Sequence, residues 1–265
     1  MAAATAETFD GTSAYLDLLK LWLTGLTLPS GAFAAARQPD GTKLIPVTPE
    51  TIADIKRRRA PWLAASFTMM GLDRTNHLQA CVEDVLAHDI PGDMIETGVW
   101  RGGATILMRA LLAIHGVTDR SVVVADSFQG VPPPDAEAFP IDASSRLHTF
   151  DALAVPIEFV KDNFARFGLL DDQVEFVPGR FRDTLPALSD RVWSVVRLDG
   201  DLYESTINAL DSLYSQLSPG GYLIVDDYGA LEQCREAVRD YRSTHAIEEE
   251  IRAIDGTGVY WQKEA

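Results

Sequence analysis

Two aspartates, Asp199 and Asp201, follow the apolar run WSVVRL with only Gly200 between them, and two more, Asp226 and Asp227, end the apolar run GYLIV. Short, nearly all-apolar runs of this kind read as strands covered on both faces. Four carboxylates would then stand where buried strands emerge. In a doubly wound sheet the two strands are expected to be neighbours, so that Asp199, Asp226 and Asp227 converge. Like charges brought together are costly. A hard divalent cation bound through oxygen removes that cost, and Mg²⁺ suits a few carboxylates plus water. Taken singly, each aspartate could equally serve a turn or a helix cap.

A second constellation precedes these. The apolar run DMI leads into Glu96 and Thr97, followed by Gly98, Gly102 and Gly103 at the opening of the helix-like ATILMRALLAIHG. Glycine lets backbone approach a ligand closely. The spacing Gly-x-x-x-Gly-Gly differs from a dinucleotide loop, and an acid beside it would repel a phosphate. It suits an ammonium or a sulfonium. Asp126 ends the run SVVVAD, where an acid can accept hydrogen bonds from ribose hydroxyls, or serve a turn. Together these features point to S-adenosylmethionine rather than a nicotinamide dinucleotide.

The elements that must position these residues alternate strand and helix from about residue 91. Five apolar strands, ending at Glu96, Asp126, Gly179, Asp199 and Asp226–Asp227, are separated by helical patterns. IEFVKDNFARFG and LEQCREAVRDYRSTH read as helices, and STINALDSLYSQL as a helix stopped by Pro-Gly-Gly. Such alternation means βαβ units and a parallel sheet, whose ligands bind at the carboxyl ends of the strands. The tail IEEEIRAID–GTGVYWQKE reads as a hairpin that adds one antiparallel strand. Residues 1 to 90 read as a helical extension, with Tyr15, Leu18, Leu19, Trp22 and Leu23 at helical spacing, a mobile Pro-, Gly- and Ala-rich arm to about Pro49, and a second helix over 71 to 88. The run Lys56-Arg57-Arg58-Arg59 reads most simply as a solvated helix face. Residues 91 to 265 form the main domain, interrupted by a Pro-rich lid over about 128 to 156 that contains His148.

The chain carries a formal charge of −16, which disfavours nucleic acid and anionic membranes. Its two cysteines, Cys81 and Cys234, show no CxxC and fit a reducing compartment. The N-terminal segment lacks a basic region before an apolar core, and no apolar run is long enough to span a bilayer. A cytoplasmic protein is expected.

The blocks ETGVWRGG, ADSFQG, GLLDDQVEFVPGRFRDTLP, RLDGDLYEST, LSPGGYLIVDDY and GVYWQK resemble the macrocin O-methyltransferase family, over about Thr68 to Trp261. These are metal- and S-adenosylmethionine-dependent sugar O-methyltransferases of natural-product tailoring. The resemblance implies a class I methyltransferase fold, α/β with a doubly wound, mostly parallel sheet. It implies Mg²⁺ held by Asp199, Asp226 and Asp227, with Asp201 as general base. It further implies cofactor contacts from Glu96, Thr97, Gly98, Asp126, Ser127, Asp183 and Thr184, a glycoside acceptor and a homo-oligomer. Trp100 and Tyr203 offer aromatic surface near the site, or simple packing. Other readings stay open: a catechol-type methyltransferase, a glycosyltransferase using Asp199-Gly200-Asp201 as a DxD, or a non-catalytic binding protein.

Overall fold

The computed structural model describes residues 10–27, 33–38, 41–46, 48, 53, 62–63 and 65–264. A central seven-stranded sheet is built from β4 (Asp93–Thr97), β5 (Val122–Asp126), β6 (Val174–Pro178), β7 (Trp193–Leu198), β8 (Leu217–Val225), β9 (Arg252–Ala253) and β10 (Val259–Gln262), in the order β6-β5-β4-β7-β8-β10-β9. Pairings from β6 to β8 are parallel, and β10 runs antiparallel to both β8 and β9. The order reverses between β4 and β7, so ligand-binding crevices open at the carboxyl ends of those strands.

Side chains alternate across the sheet. Met94, Val122, Val124, Val195 and Ile224 pack with Leu16, Leu78, Ile106 and Phe164 on one face. These partners come from α1 (Gly11–Leu23), α2 (Leu72–Ala87), α3 (Gly103–Ile114) and α4 (Ile157–Arg166). Ile95, Val123, Ala125, Val196 and Leu223 pack with Leu210, Leu213, Val238 and Tyr241 on the other. There α5 is the short turn Phe181–Thr184, α6 spans Tyr203–Leu213 and α7 Glu232–Thr244. The expected helix over 71 to 88 is α2, which buries Leu78, Cys81, Val82 and Val85. Cys81 and Cys234 are buried free thiols.

Two expectations are revised. The Ala-rich arm contains a hairpin, β1 (Phe33–Gln38) with β2 (Gly41–Pro46), extended by β3 (Trp62–Leu63). FAAARQ has little β-branched character, so the pairing and not the local propensity decides its state. Pro219-Gly220-Gly221 does not simply stop a helix. It lies inside β8, where the pairing with β7 shifts between Trp193↔Leu217 and Val195↔Tyr222. Within the segment expected as a lid, three short 3₁₀ turns cross residues 140–153, and the fully buried Asp142 accepts the backbone N–H groups of Tyr203 (2.9 Å) and Glu204 (3.0 Å) at the start of α6. A carboxylate there satisfies otherwise orphaned donors and favours the positive end of the helix dipole. The basic run Lys56–Arg59 lies outside the described residues.

Candidate active site

The rim where β4, β5, β7 and β8 end is stitched by backbone hydrogen bonds. Gly98 N–H donates to the Ala125 carbonyl (2.8 Å), Asp199 N–H to that of Thr97 (2.8 Å), and Asp226 N–H to that of Leu198 (2.9 Å). Gly98 has φ +89°, and a Cβ on it would lie 1.9 Å from the Asp199 carbonyl oxygen. Only glycine permits that approach. Gly200 is confined in the same way, its missing Cβ facing Ser205 Cβ at 2.9 Å. Asp201 follows in the left-handed region, φ +62°, uncommon for a residue with a side chain.

Below the rim a cavity of about 420 Å³ opens, and Glu96, Gly98, Asp126, Ser127, Asp199, Asp201 and Asp227 all line it. Asp199, Asp226 and Asp227 each offer a carboxylate oxygen, and the three oxygens lie within 4.8 Å of one another. The expected convergence of the two strand ends is therefore met in the fold. Asp226 itself sits deeper, behind the cavity wall. Its Oδ1 accepts from Arg197 Nη2 and lies 2.5 Å from Nη1 of Arg74. Arg74 also bridges Asp255 (2.7 and 3.0 Å) and Thr257 in the turn before β10.

Burial, together with the charge of Asp226, holds the Asp199 carboxyl well above the ordinary carboxylate range. Burial and the charges of Asp201 and Asp226 do the same to Asp227. For Asp226 burial pulls the same way, yet the guanidinium groups of Arg197 and Arg74 outweigh it and hold the group below its usual value. Glu96 is pushed up to about 8 by burial, against the pull of Arg197. Five acidic groups, Glu96, Asp199, Asp201, Asp226 and Asp227, thus stand against two arginines, an excess of carboxyl groups that fits a hard dication at Asp199, Asp226 and Asp227. Glu96 Oε2 is buried without a hydrogen-bond partner in a residue that faces the cavity, which fits a cationic ligand group.

Not every expected residue reaches the cavity. Thr97 is fully buried behind it. Asp183 is solvent-facing beside Arg182, at 3.8 Å, and Thr184 Oγ1 donates to the Arg180 carbonyl. From this turn, Arg180, Phe181 and Arg182 form the wall instead. Asp126 does line the cavity, and it also accepts from Val99 N–H (2.8 Å) and Phe128 N–H (2.7 Å), which braces the glycine turn. His148 does not line the cavity, and Tyr203 turns its hydroxyl to Asp240 (2.8 Å). Trp100 does line it, and its indole N–H donates to the Ala152 carbonyl of the lid (2.8 Å). Arg197 and Arg74 were not foreseen. Arg197 had a signal, a lone cation inside an apolar strand two residues before Asp199. Arg74 had none, being one polar residue among several on α2.

This sheet order, with a glycine turn, a strand-end acid and the cavity at the switch point, defines a class I S-adenosylmethionine-dependent methyltransferase fold. The profile of the Macrocin-O-methyltransferase (TylF) family matches residues 12–263. The chain is 49% identical over 262 residues, covering 97% of it and 95% of the relative, to the 8-demethyl-8-(2,3-dimethoxy-alpha-L-rhamnosyl)-tetracenomycin-C 4'-O-methyltransferase of Streptomyces olivaceus. It is 42% identical over 258 residues, 96% of this chain and 98% of the relative, to the mycinamicin III 3''-O-methyltransferase of Micromonospora griseorubida. The solved structure of the O-methyltransferase NovP superposes with a TM-score of 0.86 at 43% identity, covering 96% of this chain and all of that one. The chain belongs to the macrocin O-methyltransferase family and is an O-methyltransferase. The glycosyltransferase and non-catalytic readings fall with that result. Among the described residues no helix is long and apolar enough to cross a membrane.

Proposed function

We propose that this enzyme transfers the methyl group of S-adenosylmethionine to a sugar hydroxyl of a glycosylated natural product, with Mg²⁺ as its metal. One observation carries the reading: Asp199 and Asp227 of the acid cluster line the same cavity as Glu96 and Gly98, with Asp226 completing the cluster from behind the wall. Glu96, Gly98, Asp126 and Ser127, with the wall of Arg180, Phe181 and Arg182, would hold the cofactor, which supplies an electrophilic methyl. Asp199, Asp226 and Asp227 would hold the cation, whose chemistry is to lower the pKa of an acceptor hydroxyl.

Asp201 takes the acceptor proton. An aspartate of ordinary pKa about 3.9 is a weak base toward a hydroxyl unless that hydroxyl is polarised. Glu204, Ser205 and Asn208 on the first turns of α6 line the same cavity and suit the hydroxyls of a sugar. Met69, Val131, Pro132, Leu153 and Leu231 add apolar wall for an aglycone. The chain's largest service is to hold two ligands aligned and to exclude water beneath the tethered lid. One relative is named for O-methylation of a rhamnosyl-bearing tetracenomycin, which supports this acceptor class. The free thiols Cys81 and Cys234 suit the reducing conditions of a cytoplasmic enzyme. Tyr15, Leu18 and Trp22 form an exposed apolar stripe on α1, which supports a homo-oligomer. Sedimentation velocity giving a monomer would remove that part of the reading.

The test is incubation with S-adenosylmethionine, Mg²⁺ and a panel of rhamnosylated and other deoxyhexosylated aglycones, read by mass spectrometry. One added methyl on the sugar, lost with EDTA and with Asp226→Ala/Asp227→Ala, is expected. Methylation of simple catechols in preference to every glycoside would refute the acceptor assignment.

A further inference from the structure

We propose, on the basis of that functional reading, that Arg197 is a positioning residue that couples the cofactor half of the site to the metal half. Arg197 lies in the middle of β7 and is 2% exposed, the one cation of that strand. Its registered neighbour on β4 is Glu96, and on β8 Ile224. Side chains two residues apart share a face of a sheet. Asp199 and Asp226 therefore stand on the same face as Arg197 and Glu96, one step nearer the rim.

The guanidinium fills the space among them. Nη1 is shared between Glu96 Oε1 and Asp199 Oδ2, the latter at 2.9 Å, and Nη2 donates to Asp226 Oδ1. A guanidinium is planar, with its donors in a fixed fork, so a shift of one carboxylate turns the whole group. Glu96 and the acids of the metal cluster are thus joined through one rigid body. Occupation of the cluster would fix Asp199 and Asp226, and through Arg197 would fix Glu96 Oε1. Glu96 Oε2, the partnerless oxygen, is then held in one orientation toward the cavity. A ligand ammonium meeting a carboxylate already fixed gives up less ordering entropy on binding. The metal should strengthen cofactor binding, and by linkage the cofactor must strengthen metal binding by the same factor.

The experiment is calorimetric titration of S-adenosylhomocysteine, which lacks the sulfonium charge, into the full chain with saturating MgCl₂ and with EDTA. The reciprocal titration of MgCl₂ is run with and without saturating S-adenosylhomocysteine. We expect both affinities of the wild type to shift by one common factor, about 5- to 20-fold, the lower part of the usual range for coupled sites. Arg197→Met should bring the factor to about one, and Arg197→Lys, a point charge without the fork, should retain part of it. Since Arg197→Met leaves Glu96 and Asp199 without their cation and Asp226 with Arg74 alone, and can fail to fold, Glu96→Gln is measured beside it. That variant removes the ionic contact to Arg197 from the cofactor side, and its factor should also approach one even though its affinity falls. Equal S-adenosylhomocysteine affinity with and without Mg²⁺ in the wild type overturns the coupling while leaving the methyltransferase reading intact. So does an unchanged factor in either folded variant. No S-adenosylhomocysteine binding under any condition overturns the functional reading, and the coupling with it.

Discussion

Replacing Gly98 by alanine tests whether the close approach of β4 to β7 is what holds the site. The added Cβ would stand 1.9 Å from the Asp199 carbonyl oxygen, whereas real Cβ contacts do not fall below 3.0 Å. The two strand ends must therefore separate by about 1.1 Å. That opening strains the Asp199 N–H to Thr97 hydrogen bond, worth about 1 kcal/mol net. The left-handed conformation, φ +89°, costs an alanine about 1–2 kcal/mol more. A total of about 2–3 kcal/mol in a chain of this length lowers Tm by roughly 5–10 °C. The larger effect falls on function, because Asp199 and Glu96 move apart. A misplacement of about 1 Å can cost about 100-fold in rate. The control is Gly116→Ala, which has φ +66° but nothing within 4 Å of its new Cβ. It should lose about 1–2 kcal/mol from conformation alone and leave kcat unchanged. Thermal unfolding and steady-state methyl transfer on both variants separate strain from displacement. Should Gly98→Ala match Gly116→Ala in both assays, the close approach is not what sets the site.

Asp201→Asn should lower kcat by about 10²- to 10⁴-fold while S-adenosylhomocysteine still binds by calorimetry; a near wild-type rate would remove Asp201 as the base. Glu96 has its pKa raised from 4.5 to about 8 in the folded chain, so its carboxyl is neutral in both states below about 4.5, and its contribution to stability is present there and lost as pH rises through about 8. Thermal scans of the unliganded protein should accordingly show a fall in stability from pH 6 to pH 9 that Glu96→Gln diminishes. S-adenosylhomocysteine should bind more tightly over pH 6 to 8 as the carboxyl ionises; weaker binding over that range would show that Glu96 does not meet the ligand ammonium. Asp142→Ala removes the acceptor of two N–H groups at α6, which should cost about 1–2 kcal/mol and raise amide exchange across residues 140–153. Unchanged exchange there would mean that Asp142 does not tether the lid.

Much of this protein was legible in its sequence because its signals are local. Apolar strands alternating with helical patterns give a parallel doubly wound sheet, and the strand-end acids then share one rim. Asp199, Asp226 and Asp227 were legible as a group for that reason, and Glu96 because it stands two residues before the first of its glycines. The hairpin of residues 33–46 was not, since FAAARQ takes its state from pairing with a partner strand. Nor was the tether of the lid, because Asp142 reaches α6 across some sixty residues of chain. Only the tertiary structure decided that Asp226 lies behind the cavity between Arg197 and Arg74, and that Asp126 braces a turn. The physical reason is the same in each case. Residue type and period fix which side chains leave a strand and on which face. The partner that neutralises a buried charge comes from whichever element packs there, and α2 brings Arg74 from more than a hundred residues away.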